Sequence, residues 1–309
     1  MSNAELIMKY KCPLCPMRYP EMTPNGKCVY HDVELIDLKQ TLSSVELQWH
    51  KETFDAFPSV LAHEYYRLYQ LCCSDNIYGT ILQLKDVIEA TVKLVVLSIS
   101  AWAKAHDIAG RKESYEKELA NEELSFGDWF TLNNLIRNFY TSKKYRGIQP
   151  PETLKALMLA VSDWEEKNHF THWRNETIGH GALALEDDPE IYLETAEKIN
   201  ALSVFYEQHD SEFKSIHITS EGLSLIGKAN ARDLPVAVGD HCCAEVNGDS
   251  FSLVPYVLHV NAGIYFYDEY ADKKQQRLIL NSRVYFVTTI DPLAATEWYP
   301  RQSTYPCAV

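Results

Sequence analysis

The chain has 309 residues, 46% of them apolar, which is enough for a sizeable core and about two domains. It carries 29 Lys+Arg against 43 Asp+Glu, a formal charge of −14, and no segment is basic: residues 1–40 are balanced, 41–214 carry −11 and 215–309 carry −3. A surface that coats duplex nucleic acid or an anionic membrane is therefore excluded, although a small local phosphate site is not.

The first fifteen residues hold Lys9, Lys11, Cys12 and Cys15 with no apolar run, so no secretory signal is expected. Residues 1–40 form a Pro-rich, metal-like unit. Cys12-Pro-Leu-Cys15 is followed after twelve residues by Cys28-Val-Tyr-His31. Each pair sets two ligands on one tight turn, and two such pairs close a tetrahedron around a zinc ion, so Cys12, Cys15, Cys28 and His31 are the expected ligands. With four protein ligands the site is closed, and its role is structural. The segment resembles a short zinc ribbon, a class that includes both nucleic-acid and protein binders.

Residues 41–213 read as helices. Expected spans are Val45–Phe57, Val60–Cys72, Ile77–His106, Asp128–Tyr140, Glu152–Trp173 and Pro189–Phe213. In the longest, Ile77, Ile81, Leu84, Ile88, Thr91, Val95, Ser98 and Trp102 recur every three or four residues along one stripe. The opposite face holds Asp86, Glu89 and Lys93, read as a solvated face with an i,i+4 ion pair. The most apolar stretch, Val92 to Ala103, is short and contains Lys93, so no membrane span is expected. Asp107 to Ser125 reads as a polar loop, and Ser142 to Pro151 as a break. Beyond Phe213 the texture changes to short strands and turns over 214–309. There His241–Val246, Asn247-Gly248-Asp249 and Ser250–Val254 read as a hairpin, followed by strands near Ile264–Tyr267, Leu278–Leu280 and Arg283–Ile290. The fold class is mostly α: a small N-terminal zinc ribbon, a helical bundle and a small β-rich accessory domain. The eight cysteines, including the vicinal pairs Cys72-Cys73 and Cys242-Cys243, form no disulfide framework and suit a reducing, cytoplasmic setting. The vicinal pairs read as buried thiols.

The most informative segment is His169-Phe-Thr-His172-Trp-Arg174-Asn175-Glu176-Thr177-Ile178-Gly179-His180-Gly181, at the end of a long helix. Arg174 and His180 lie six residues apart, about 120° around a regular helix. The glycines bracketing His180 allow a break that would turn the imidazole back toward the guanidinium. Histidine titrates near neutral pH and can carry a proton either way. Arginine stays charged and grips phosphate in bidentate fashion.

This segment resembles the HEPN superfamily, whose signature is Arg, four to six residues, then His, with a polar residue such as Asn175 often following the Arg. The likeness covers roughly residues 41–213, and the long helix carrying Asp86 and Glu89 is similar to the family's usual arrangement. The resemblance implies a HEPN-like bundle and a metal-independent endoribonuclease acting as a homodimer on RNA through 2′-hydroxyl attack. His180 would be its acid/base, Arg174 its phosphate clamp and Asn175 a helper, with both Arg-His pairs meeting at the interface. Such nucleases are typical of toxin–antitoxin and anti-phage systems, where a protein partner or antitoxin is implied. The alternative is a non-catalytic HEPN-like module for dimerisation, nucleotide binding or partner binding within a larger defence or signalling system, which the acidic surface suits. Other signals are weaker. His169 and His172 read as partly exposed histidines, and Trp102, Trp129, Trp164 and Trp173, at helical positions, as core. Lys143-Lys144-Tyr145-Arg146 could meet an RNA backbone, although short basic loops are mostly solvated.

Overall fold

The computed structural model describes residues 10–12, 14–15, 17–37, 46–74, 76–119, 124–179, 190–220, 223–228, 242–254, 256–260, 263–266, 271–272, 277–280, 283–286 and 301–302. Mostly helical, it has a Cys/His cluster near the N-terminus and a small four-stranded antiparallel sheet in the C-terminal region.

The N-terminal unit is a three-stranded antiparallel sheet of β1 (Tyr10–Lys11), β2 (Arg18–Tyr19) and β3 (Ile36–Asp37), in the order β2-β1-β3. Its core is separate and small: Cys12, Cys28 and Leu35, with Tyr10, Cys15, Tyr19 and Val33 packed around them. So few apolar side chains supply little burial, which makes a cross-link through the cysteines the natural source of stability.

The bundle is built on α3 (Ile77–Ala105), a helix about 43 Å long. The Asn76 side chain caps its start, accepting from the Gly79 amide at 2.9 Å. Nearly every residue from Val87 to Ala103 is buried, so α3 is the axis of the fold and not an amphipathic surface helix. Packed around it are α2 (Ser59–Cys73), α5 (Phe126–Thr141), α6 (Glu152–Asn168) and α8 (Glu190–Gln208). Buried polar groups pin these helices. The Asn133 amide of α5 donates to Met158 O at 2.9 Å and Ser162 Oγ at 2.8 Å, both on α6. The Thr91 and Tyr206 hydroxyls meet at 2.6 Å between α3 and α8.

Several elements differ from expectation. Helix in the first expected span is confined to α1 (Thr53–Ala56). The supposed polar loop after α3 contains a π-helical turn, Lys112–Glu116, running into α4 (Lys117–Leu119). Tyr115, Glu116 and Leu119 are buried there because Arg111 bonds the Glu116 carboxylate at 3.1 Å and Tyr115 packs on Phe139. Lys93 is 5% exposed, not solvated, since its ammonium reaches Glu89 at 2.7 Å and lies 5.2 Å above the Trp129 ring. Of the vicinal cysteines only Cys72 and Cys242 are buried; Cys73 is exposed and Cys243 half-buried.

After α9 (Asp210–Lys214), strands β4 (Ile216–Ser220), β5 (Leu223–Ser224), β6 (Cys242–Val246) and β7 (Asp249–Ser252) form an antiparallel sheet ordered β5-β4-β6-β7. The β6–β7 turn places Asn247 at φ 52° and Gly248 at φ 81°, the two left-handed positions that an Asn-Gly turn supplies. Cys242, Ala244 and Val246 are buried while Glu245 faces out, and the inward residues join the same core as the bundle. The hairpin is fastened at its tip, where Asp249 accepts from the Trp102 indole at 2.7 Å. Strands β8 (Val257–Val260) and β9 (Gly263–Phe266) pair antiparallel. A further sheet runs β10 (Ala271–Asp272), β11 (Arg277–Leu280), β12 (Arg283–Phe286) and β13 (Arg301–Gln302). Among the described residues no helix is long and apolar enough to cross a membrane.

Candidate functional site

Among the described residues, two places gather the side chains singled out from the sequence. The first is the N-terminal cluster. The ligand atoms of Cys12, Cys15, Cys28 and His31 all lie within 4.8 Å of one another. Cys12 Sγ and Cys28 Sγ are each 3.7 Å from His31 Nδ1, and Cys15 Sγ is 3.9 Å from Cys28 Sγ. A tetrahedron with metal–sulfur bonds of about 2.3 Å has sulfur–sulfur edges of about 3.8 Å, so the group could hold a metal ion. Backbone amides two residues beyond a ligand point back at it: Leu14 N to Cys12 Sγ at 3.4 Å and Tyr30 N to Cys28 Sγ at 3.5 Å. The Tyr19 hydroxyl donates to Cys28 Sγ at 3.4 Å and accepts from the Val29 amide at 3.3 Å. Burial works to raise the Cys28 thiol. Hydrogen bonds from Tyr19, Tyr30 and His31 outweigh it and bring the thiol down to about 5, so the thiolate ligand is favoured at neutral pH. Tyr19 was not among the residues singled out from the sequence. Its only signal is its cross-strand pairing with Tyr10, which requires the β1–β2 register.

The second place is the end of α6. The single helix expected over Glu152–Trp173 is broken at His169, which sits in the left-handed region at φ 49°. The break is stabilised by its own hydrogen bonds: His169 N donates to Glu165 O at 2.8 Å, and Thr171 N donates to Glu165 Oε1 at 3.0 Å. The chain then starts a new helix, α7 (Phe170–Arg174). Phe170 is buried against Phe126 and Trp164, and the Trp173 indole donates to Glu194 Oε2 of α8 at 3.0 Å. These anchors fix the direction in which Arg174 leaves the bundle.

Arg174 is half-buried. Its guanidinium donates to Asn175 Oδ1 at 3.0 Å and lies 6.0 Å from the centroid of Phe126 in the first turn of α5. Its Nε is buried with no hydrogen-bond partner among the described residues. The chain continues as a second π-helical turn, Asn175–Gly179, an uncommon geometry that recurs at functional sites. Arg174 and Asn175 are thus brought together. His180 lies outside the described residues. His169 and His172 are both exposed, and His172 pairs with Glu176 at 3.3 Å.

On α3, Glu89 bridges two ammonium groups, Lys93 at 2.7 Å and Lys85 at 3.1 Å, while Asp86 pairs with Lys85 at 2.8 Å. Burial pushes the Glu89 carboxyl up, but the two lysines hold it below its ordinary value. All three groups are engaged in this ion-pair ladder.

Compared with known proteins, the chain matches no family model, no curated protein and no solved structure. The functional reading therefore rests on the residues themselves.

Proposed function

We propose that the chain is a metal-independent endoribonuclease of the HEPN type, working as a homodimer, with zinc held structurally by Cys12, Cys15, Cys28 and His31. Three thiols and an imidazole are a donor set that zinc takes readily, and with four protein ligands no position is left for substrate. The zinc would hold the knuckle together and would take no part in cleavage.

One observation carries the nuclease reading. Arg174 stands at the mouth of a helix break, its guanidinium partly satisfied by Asn175 and by the Phe126 ring, with Nε still unpartnered. A half-buried guanidinium whose terminal N–H groups are not all taken up by Asn175 is suited to a phosphate, with the buried Nε marking how incompletely the protein satisfies it. Asn175 holds the guanidinium plane, and a phosphate could be gripped by the remaining N–H groups. His180, one residue past the π-helical turn, would move protons to and from the 2′-hydroxyl and the leaving 5′-oxygen. One pair supplies a single proton carrier, so a two-fold dimer would supply both acid and base. The test is cleavage of single-stranded RNA by purified protein, with Arg174→Ala and His180→Ala alongside. Cutting by the parent, lost by at least about 10²-fold in each variant, is expected. Equal cutting by parent and variants would refute it.

A second reading, a non-catalytic partner-binding module, is favoured by one feature. Between α6 and α8 runs an open groove of about 570 Å³, walled by Leu159, Ala160, Trp164 and Val204. Under that reading the parent protein cuts no RNA and the Arg174 variant changes only association.

A further inference from the structure

The loop between α5 and α6 holds Lys143, Lys144 and Arg146, all exposed. In a chain of net charge −14, an exposed lysine or arginine would be expected to find a carboxylate. Nearby cations do: Arg137 lies 3.6 Å from Asp163, and Lys155 3.5 Å from Glu152. The three loop cations have no carboxylate partner among the described residues; Arg146 donates only to the Tyr145 carbonyl, at 3.3 Å.

Nor is the loop loosely held. The Tyr145 ring packs on Phe139 and Tyr140 at centroid distances of 4.9 and 5.2 Å, and its hydroxyl donates to Ile148 O at 2.5 Å. Tyr145 N donates to Ser142 O at 3.0 Å, and the Gln149 side chain to Tyr140 O at 3.4 Å. Three like charges are thus kept together with no counter-charge among the described residues. That arrangement costs energy in isolation, and a polyanion relieves it.

The helix leading to this loop carries the same signature. The outward stripe of α5 is Gly127, Thr131, Asn134, Asn138 and Thr141, spaced at three and four residues, with no carboxylate in it. The one acid of α5, Asp128, is taken up by the Ser125 amide at 2.7 Å. The stripe starts in the helical turn where Phe126 lies beneath Arg174 and ends at the basic loop. Sixteen residues separate the two ends, about 24 Å of helix.

We propose that the exposed face of α5 is a track for the backbone of single-stranded RNA, with Lys143, Lys144 and Arg146 gripping phosphates about seven nucleotides from the one held at Arg174. The spacing follows from the rise of about 3.4 Å per nucleotide of a strand that keeps its bases stacked. The track deepens the nuclease reading, on which it rests for the role of Arg174, by adding a distal substrate-binding site.

The experiment uses fluorescein-labelled 2′-O-methyl RNA, which lacks the attacking hydroxyl, so binding is read independently of cleavage. Fluorescence anisotropy is followed over RNA lengths of about 5 to 20 nucleotides and a range of salt concentrations. The parent is compared with Lys143→Gln/Lys144→Gln/Arg146→Gln and, as a second probe of the track, Asn138→Glu. In the parent, affinity should step up as length passes about seven nucleotides; the triple variant should lack that step. The slope of log affinity against log salt should shrink by about 2, from about 0.7 per lost phosphate contact over three contacts. Asn138→Glu should weaken only RNAs longer than the step. An unchanged slope and step in the triple variant overturns the proposal, as does binding to phosphatidylglycerol vesicles with none to RNA. Normal RNA cleavage with an unchanged slope sinks the track alone. A lost slope in a protein that cuts no RNA sustains the track and sinks the nuclease.

Discussion

Glu89→Gln removes the carboxylate 2.7 Å from the ammonium of Lys93, a side chain only 5% exposed. Removing one partner of a buried ion pair costs about 3–5 kcal/mol, because the other charge stays desolvated. Glu89 keeps 17% of its side chain in solvent, and Lys85 on its other oxygen retains Asp86 at 2.8 Å, so the lower end, about 3 kcal/mol, applies. For a chain of this size that is a fall in Tm of about 6–12 °C. Thermal unfolding followed by circular dichroism at pH 7 reads it directly. The double variant Glu89→Gln/Lys93→Met, which buries neither charge, should recover most of the loss. There is also a pH signature. The folded carboxyl is held below its unfolded value of about 4.3 by the two lysines. Its contribution is therefore present above that value and lost as pH falls through the lower folded one. The gap between parent and Glu89→Gln should be full at pH 7 and close progressively below about pH 4. A Tm shift under about 2 °C at pH 7, or a gap that widens in acid, would refute the reasoning.

Three further outcomes are expected. Tyr19→Phe removes the hydroxyl that donates to Cys28 Sγ and should weaken binding of the proposed zinc ion by about 10–100-fold in competition with a chromogenic chelator. Asp249→Ala strands the indole N–H of Trp102, 1% exposed, and should cost about 1–3 kcal/mol by urea unfolding. Arg174→Lys keeps the charge but loses the fork that Asn175 orients; RNA cleavage should stay well below the parent, and full activity would show that a point charge suffices.

How much was legible in the sequence depended on whether a signal was local. The Cys-x-x-Cys and Cys-x-x-His spacings act over four residues each, and the four ligand atoms converge. The Asn247-Gly248 turn is likewise local: both residues adopt the positive φ that their types tolerate. The stripe along Ile77–His106 was read as one face of a helix, and that helix is present. The burial of nearly all of Val87 to Ala103 is not visible there, because a charged Lys93 four residues from Glu89 has the pattern of a solvated pair. Only the packing of α5, with Trp129 under the ammonium, encloses it. The break at His169 was equally hidden. No glycine or proline marks it, and it is held by the Glu165 carboxylate reaching the Thr171 amide. Tyr115 and Leu119 sat in a stretch dominated by Glu and Lys, and the aromatic cluster that buries Tyr115 comes from Phe139 and Tyr140, some twenty-five residues on. At the candidate site, Arg174 and Asn175 were legible as a motif, whereas Phe126 beneath the guanidinium is a tertiary contact with no sequence signature.

The central claim is that Arg174 and His180 cut RNA through its own 2′-hydroxyl without a catalytic metal. The most direct measurement is end-group analysis of a single-stranded RNA incubated with the zinc-loaded protein and no added divalent metal, beside the same strand carrying 2′-O-methyl groups. The account predicts products ending in 2′,3′-cyclic phosphate and 5′-hydroxyl, with the methylated strand intact. Products ending in 5′-phosphate, or cleavage of the methylated strand, would contradict it.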